Sequence, residues 1–363
     1  VMGDDFRRPA TEAEVGAMAA LLEDEMESGA LGLSTGLEYD PGIYSTTEEV
    51  VTLARVAAAA GGRYISHVRS EDRDLGAALD EAIAIGEAAG IPVQISHMKL
   101  AMRSLWGRAD EFLRRLEEAR ARGVEVTADV YPYEYWQSTM TVLFPDRDFT
   151  DRDAARFALE ELVSPEGMLI GRFEADRRLE GMTLAEIAAD RGTDPVTAYL
   201  ALIAESQAHA RETGSGGESI VATSMSGGDI ARLLAWEHTV VSSDGALDGA
   251  HPRGFGTYPR VLGRYVREQS VLSLEEAVHK MTLKAATHVG LNGRGVILPG
   301  APADLVLFDP SAVIDRATPA SPHETSVGIK RVWVGGVLVY TEAGGVTGAR
   351  PGQILRRGAR PRF

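Results

Sequence analysis

Three strand-like runs of this chain are each followed by a residue that could bind a metal ion. The runs RYIS and PVQIS lead into His67 and His97, and the run HTVVSS leads into Asp244. In a parallel β/α barrel the carboxyl ends of the strands gather at one mouth, where active sites lie. Two imidazoles and a carboxylate that meet there would suit Zn²⁺, and Mn²⁺, Fe²⁺ or Co²⁺ accept the same ligands. The sequence therefore predicts a divalent-metal site at His67, His97 and Asp244.

Each of these residues also has an ordinary structural interpretation. A histidine at a strand end can simply be a hydrogen-bonded side chain, although two successive strands that end in Ser-His make this less common. Asp244 precedes Gly245, and Asp-Gly is a frequent turn former. The position of Asp244 at a strand end, like that of the two histidines, favours a role in the site.

The elements that would position these residues alternate between helix and strand through the first 130 residues. Threonine N-caps, early glutamates and glycine stops delimit the helices, and the connections are short. The predicted helices are 11–26, 46–60, 74–89 and 109–122, and the predicted strands are 29–37, 63–67, 91–97 and 124–131. This rhythm predicts parallel βα units, hence a barrel or a doubly wound sheet.

The rhythm breaks after residue 134 and resumes near residue 218. Residues 135–217 are charged and predicted to be mainly helical, with helices at 152–162, 183–191 and 195–208, so we interpret them as an insertion on a strand-end loop. Residues 218–295 are interpreted as the last part of the barrel, with strands at 219–224 and 238–243 and helices at 228–235 and 274–283. Residues 1–134 would then form approximately the fourth to seventh barrel strands.

The tail, residues 296–363, has a different pattern. The segments 303–309, 329–334 and 337–340 are β-type, and Gly335-Gly336 between the last two predicts a hairpin. A small β-sandwich-type module is therefore expected to close the chain.

Composition excludes several classes of partner and site. The net charge of −16 argues against a nucleic-acid partner, and the sequence contains no basic block that would favour a membrane surface. The absence of cysteine excludes disulfides and thiolate metal sites within these residues. No apolar run approaches the roughly 18 residues of a membrane-spanning helix. These features predict a cytoplasmic protein.

Ordered sequence motifs extend the argument from chemistry to a family. The segments GALGLSTGLEYDPG, YISHVRSED, VQISHMK, ADVYPY, VVSSDG and HPRGFGTYPRVLGRYVRE, taken together, resemble the N-acyl-D-amino-acid deacylases (D-aminoacylases) of the amidohydrolase superfamily. The tail RGVILPGAPADLVLFD is similar to the closing β segment of that superfamily. The resemblance implies a TIM-like (β/α) barrel of the amidohydrolase type and zinc-dependent hydrolysis of N-acyl-D-amino acids, with one or two divalent ions.

The resemblance also implies roles for individual residues. His67 and His97 would bind the metal, and Asp244 would bind or activate the attacking water and pass its proton to the leaving amine. Lys99, Arg253 and Tyr131 match positions that bind the substrate carboxylate, and an ammonium and a guanidinium are suited to that task. The alternatives are solvated charges for Lys99 and Arg253 and a core aromatic for Tyr131.

This sequence departs from the superfamily pattern at its beginning. The His-x-His of the first barrel strand and the metal-binding cysteine of the second-strand region are not present. We therefore expect that the N-terminal strands are missing from this chain, and that either a homo-oligomer or a preceding segment completes the barrel. A cyclic-amide hydrolase similar to hydantoinase or dihydroorotase, and an inactive barrel fragment, are the alternative functions.

Overall fold

The computed structural model describes residues 1–357 and contains three separate β-sheets. A five-stranded parallel sheet has the order β1-β2-β3-β4-β8, a three-stranded antiparallel sheet has the order β5-β7-β6, and a four-stranded antiparallel sheet has the order β12-β11-β10-β9. The strands are β1 Gly32–Gly36, β2 Arg63–His67, β3 Val93–Ile95, β4 Val126–Val130, β5 Tyr135–Ser138, β6 Met168–Phe173, β7 Glu218–Thr223, β8 Thr239–Val241, β9 Leu305–Phe308, β10 Ile329–Val334, β11 Val337–Thr341 and β12 Gly345–Val346.

Helices connect the strands of the parallel sheet, as the alternating sequence pattern predicts. Thr11 caps the first helix through a capping box with Glu14, and Gly90 ends the third helix in the left-handed conformation at φ 63°. The α-helices are α1 Glu12–Glu27, α2 Thr47–Ala59, α3 Leu75–Ala89, α4 Ala109–Ala121, α5 Arg152–Phe157, α6 Leu184–Asp190, α7 Pro195–Thr213, α8 Gly227–Ala235, α9 Arg253–Arg260, α10 Leu274–Met281 and α11 Leu283–His288. Two π-helical segments, Ala158–Leu162 and Val261–Glu268, extend α5 and α9.

The parallel sheet is the part of the core that positions the chemistry. Strands β3 and β8 are buried along their whole length, and β4 is buried except at Thr127, because helices cover the sheet. In the register, Ser66 of β2 lies beside Ile95 of β3, so the residues that follow these two strands emerge at the same edge. The parallel α/β arrangement predicted for residues 1–134 is confirmed.

The prediction that residues 219–224 form a barrel strand is wrong. Strand β7 pairs antiparallel with β5 and β6, and it therefore belongs to the sheet of the insertion and not to the parallel sheet. A short apolar run has the same composition in either sheet, so its pairing partner cannot be read from the run itself. The insertion also contains β5 and β6, which the mainly helical interpretation of 135–217 missed.

The strands β9 to β12 form one antiparallel sheet, so the β-type character of the closing module is confirmed and its sandwich form stays a prediction. Gly335 and Gly336, at φ 54° and 81°, form the two-residue turn between β10 and β11. The predicted module runs to residue 363, and residues 358–363 lie outside the described residues. Within residues 1–357, no helix is long and apolar enough to cross a membrane.

Candidate active site

One pocket at the carboxyl ends of the parallel strands gathers every predicted site residue. It lies against the insertion, whose β5 and following 3₁₀ turn form the opposite wall. Its lining includes His67, His97, Lys99, Tyr131, Asp244 and Arg253. Residues up to 186 positions apart in the chain are thus brought to one cavity, as the strand-end argument requires.

The two histidines are in direct contact. Nδ1 of His67 lies 3.0 Å from Nε2 of His97, and both side chains are about one-tenth exposed. His67 is the last residue of β2, and His97 lies two residues beyond β3. The predicted pairing of these imidazoles at neighbouring strand ends is therefore what the structure shows.

The next strand of the sheet holds the backbone of His97 in place. His97 has φ 35°, in the left-handed region that a residue with a side chain rarely adopts. Its N–H donates to Oδ1 of Asp129 at 2.8 Å, and the N–H of Met98 donates to the Asp129 carbonyl at 2.8 Å. Ser242 and Gln94 also donate hydrogen bonds to the Asp129 carboxylate. Asp129, at the end of β4, thus fixes the direction of the His97 ring.

Glu71 joins the two histidines in a candidate metal-binding group, and the sequence analysis did not predict it. Its Oε1 lies 3.0 Å from Nδ1 of His97, and its Oε2 lies 3.9 Å from Nε2 of His67. One ligand atom from each of His67, Glu71 and His97 lies within 4.8 Å of the others. The available signal was the position of Glu71 in YISHVRSED, four residues after His67, on the loop that leaves β2.

Electrostatics keeps the Glu71 carboxyl ionised. Burial acts to raise its pKa, but His67, Lys99 and His97 together outweigh burial and hold the pKa well below its ordinary value. An ionised, buried carboxylate beside two imidazoles is a suitable ligand for a cation. The chemistry of the site therefore fits a divalent metal of the borderline class.

A second carboxylate, from Glu38, lies behind His67. Its Oε2 is 2.7 Å from Nε2 of His67, and burial raises the pKa of Glu38 above its ordinary value. A carboxylate on the ring of a ligating histidine fixes the orientation and tautomer of the imidazole. Glu38 was also missed, because it follows β1, whose end carries no histidine.

Lys99 points into the same group of ligand atoms. Its Nζ lies 2.7 Å from Nδ1 of His97 and donates to Oε1 of Glu71. The side chain is only 4% exposed, so Lys99 is not a solvated surface charge.

Asp244 lies outside the group formed by the two histidines and Glu71, and its binding of a metal stays a prediction. Among residues 1–357 it is Glu71, and not Asp244, that groups with the two histidines. Oδ2 of Asp244 instead lies 2.8 Å from Nη1 of Arg253, and its side chain is 40% exposed. Asp244 still lines the pocket, at φ 46°.

Two glycines allow the contact between Asp244 and Arg253. A Cβ on Gly245 would lie 2.5 Å from Cα of Gly254, and a Cβ on Gly254 would lie 2.4 Å from the Ala246 carbonyl oxygen. Only glycine permits the loop after β8 to pack this closely on the first turn of α9. The N–H of Arg253 also donates to Nδ1 of His251 at 3.0 Å, which fixes the start of that helix.

Tyr131 has a buried hydroxyl that makes no hydrogen bond within residues 1–357. The guanidinium carbon of Arg253 lies 4.7 Å from the centre of its ring, and Nζ of Lys99 lies 5.7 Å from it. Burial raises the pKa of Tyr131 above its ordinary value, so the hydroxyl stays protonated. A buried donor between two cations is suited to an anionic oxygen of a ligand.

Known proteins are similar to this chain in sequence. The model of the amidohydrolase family matches residues 172–340. The chain is 40% identical over 361 residues to an N-acyl-D-glutamate deacylase of Alcaligenes xylosoxydans xylosoxydans, covering 99% of this chain and 67% of the relative. It is 37% identical over 357 residues to a D-aminoacylase of the same organism, covering 98% and 67%. The chain thus spans about two thirds of the length of these curated relatives.

Solved structures agree with the sequence matches. A D-aminoacylase crystal structure superposes with a TM-score of 0.85 at 35% identity, covering 98% of this chain and 69% of that one. The N-acyl-D-glutamate deacylase of Bordetella bronchiseptica, solved with zinc and a phosphonate mimic of the tetrahedral intermediate, gives 0.84 at 36% identity, covering 97% and 68%. A D-hydantoinase gives 0.52 at 16% identity, a likeness of fold alone.

Proposed function

The chain belongs to the D-aminoacylase family of the amidohydrolase superfamily, and on that premise we propose that it hydrolyses the amide bond of N-acyl-D-amino acids with the help of a divalent metal. Water adds across the bond, so that the acyl carbon gains a hydroxyl group and the nitrogen gains a proton. The products are a carboxylate and a free D-amino acid. The convergence of His67, Glu71 and His97 with two cations in one pocket is the observation that carries this proposal.

The metal would be held by His67, His97 and Glu71. Zinc is the expected ion, because one relative has been solved with zinc and the candidate ligands are nitrogen and oxygen atoms. When bound, the ion polarises a carbonyl group and lowers the pKa of water. Glu38 orients His67, and Asp129 orients His97.

Asp244 is the proposed proton carrier. Its carboxylate faces the pocket beside Arg253, and it is more exposed than any of the three ligands. It would accept the proton of the attacking water and deliver it to the departing nitrogen, first as general base and then as general acid. The predicted role of Asp244 as a metal ligand stays a prediction beside this one.

The substrate carboxylate would bind between Lys99, Arg253 and Tyr131. These three side chains surround one region of the pocket, with an ammonium, a guanidinium and an unpaired hydroxyl. Charge-assisted hydrogen bonds from such groups are stronger than neutral ones and fix the orientation of the substrate. The cytoplasmic location and the mode of assembly remain predictions.

Turnover of a small set of substrates tests the proposal. Zinc-loaded protein should release methionine from N-acetyl-D-methionine, should act much more slowly on N-acetyl-L-methionine, and should not open hydantoin. Activity on the ring alone would favour the cyclic-amide alternative. A folded preparation that retains no zinc after reconstitution and dialysis would support the inactive alternative instead.

A further inference from the structure

The pocket has an apolar wall opposite the metal-binding group. This wall comes from the insertion and consists of Trp136 on β5, Val142 and Leu143 in the following 3₁₀ turn, and Leu162 in the π-helical segment. Trp136 and Leu162 are almost completely buried. A substrate group that lies against these four side chains meets mainly hydrocarbon; the indole N–H of Trp136 is their one hydrogen-bond donor, and Gln137 and Ser138 of β5 line the pocket beside them.

The cations of the pocket already have partners. Among the described residues, Lys99 and Arg253 are the two lysine or arginine side chains of the lining, whereas Glu38, Glu71, Asp72 and Asp244 contribute four carboxylates. Lys99 is bound to Glu71, and Arg253 is bound to Asp244. Once these two cations hold the α-carboxylate of a substrate, the lining offers no third cation to a second carboxylate.

The neighbouring cleft would also repel a second negative charge. It shares Glu38, Asp72, Val142 and Leu143 with the pocket and is lined further by Asp74, Glu81, Asp146, Asp148, Asp151 and Asp153. Of its two arginines, Arg69 makes two hydrogen bonds to Glu81 and two to backbone carbonyls. The other, Arg73, is exposed and stacks 4.0 Å above the ring of Phe157.

From this distribution we infer that the pocket accepts N-acyl-D-amino acids with uncharged, mainly apolar side chains and rejects N-acyl-D-glutamate and N-acyl-D-aspartate. The inference rests on the proposed function and adds the class of side chain to it. A carboxylate placed in a partly buried site without a cation loses hydration and gains no partner, and nearby like charges add to the cost. The pocket would therefore discriminate against acidic side chains for two reasons: no cation is free to pair with the second carboxylate, and the wall is apolar.

Overall similarity does not decide this question. The chain is 40% identical to the N-acyl-D-glutamate deacylase and 37% identical to the D-aminoacylase, a difference spread over more than 350 residues. Specificity for a side chain depends on the few residues that line the pocket. The four apolar side chains and the paired cations therefore outweigh the small difference in identity.

Three substrates that differ stepwise in charge and polarity test the inference. The zinc-loaded protein is assayed for kcat/KM on N-acetyl-D-leucine, N-acetyl-D-glutamine and N-acetyl-D-glutamate, of which the last two are nearly equal in size. We expect kcat/KM for N-acetyl-D-leucine to exceed that for N-acetyl-D-glutamate by about 100-fold or more. The value for N-acetyl-D-glutamine should exceed that for N-acetyl-D-glutamate by about 10-fold. Preference for glutamate would overturn the inferred selectivity and leave the hydrolase intact. Lack of turnover on all three would overturn the proposed function and this inference together.

Variants at the shared wall give a second, internally controlled test. Leu143→Arg places a guanidinium where the pocket meets the cleft, and it should raise the glutamate-to-leucine ratio of kcat/KM about 10-fold or more, whereas Leu143→Met should leave that ratio unchanged.

Asp72→Asn removes a negative charge from the lining and should raise the same ratio several-fold. Asp153→Asn, in the outer cleft only, is its matched control. Because each result is a ratio within one preparation, partial unfolding does not affect it. Unchanged ratios in both Leu143→Arg and Asp72→Asn would overturn the role of charge.

Discussion

The two ends of the five-stranded parallel sheet both contain buried histidines and cations, but these groups have different partners. At the amino end, His288 contacts the Thr127 hydroxyl at 2.9 Å, and Lys280 donates to the carbonyls of Trp236 and Thr239. At the carboxyl end, His67, His97, Glu71 and Lys99 contact one another around a pocket. Buried polarity alone therefore does not indicate a functional site. What distinguishes the carboxyl end is that several ionisable side chains contact one another around a pocket, whereas His288 and Lys280 contact a hydroxyl and backbone carbonyls.

The largest expected effect comes from replacing a histidine by alanine at the carboxyl end of the sheet, and the same replacement at the amino end is its control. His97→Ala should abolish turnover, by roughly 10⁴-fold or more, because it removes one of three ligands and a metal contributes several kcal/mol to catalysis. The protein should also lose zinc on dialysis. Metal analysis and kcat/KM on N-acetyl-D-methionine measure both effects.

His288→Ala is the control at the amino end. It should lower stability while leaving the metal content and the activity of the folded fraction unchanged. If His97→Ala retained full zinc and normal turnover, the carboxyl-end site would not be the catalytic one.

Asp244→Asn should give the next largest effect and distinguishes proton transfer from metal binding. General acid–base groups contribute about 10²–10⁴-fold, so kcat should fall by that amount while zinc stays bound. Loss of zinc together with kcat would return Asp244 to the set of ligands and exclude a purely proton-carrying role.

Arg253→Lys should change substrate binding more than the chemical step. The guanidinium contacts Asp244 and lies above the Tyr131 ring, two contacts that a lysine ammonium cannot make together. We expect KM for N-acetyl-D-methionine to rise about 10-fold and kcat to change by much less. Arg267→Lys, on the same helical segment but bound to the carbonyls of Pro310 and Val313, is a suitable control. An unchanged KM in Arg253→Lys would place the carboxylate elsewhere in the pocket.

The sequence predicted those site residues whose positions follow from where the parallel strands end. His67 and His97 follow regular apolar runs, so the sheet register brings them together. Glu71 and Glu38 lie on loops after strands, where no periodicity indicates which way a side chain points. Asp244 was placed correctly at a strand end, but its contact with Arg253 depends on the close approach of Gly245 and Gly254, which the pattern of residue types does not specify.

The fold shows the same limit. Helices with capping boxes and glycine stops were predicted nearly to the residue, because local hydrogen bonds define their ends. The pairing of β7 was not, because strand partners are chosen by contacts distant in the chain. The apolar wall of the pocket lies in that insertion, so the specificity of the site was less accessible to sequence reasoning than its metal ligands.

The smallest effect, on stability alone, concerns the amino end. Burial, with a smaller contribution from Arg63, lowers the pKa of His288 from its ordinary value near 6.5 to about 3. A histidine kept neutral in the folded state contributes stability above pH 6.5, and this stability is lost as the pH falls toward 3, because the unfolded chain binds the proton first. Between pH 6.5 and pH 5 the loss should be about 2 kcal/mol.

Urea unfolding of the native protein and of His288→Gln at pH 7.5 and pH 5.0 measures this loss, and the contributions of the other carboxyl and histidine groups cancel in the difference. A steeper loss of stability in the native protein than in the variant, with equal activity at pH 7.5, would show that this buried histidine is structural. Equal pH dependence in the two proteins would mean that His288 is not kept neutral by burial.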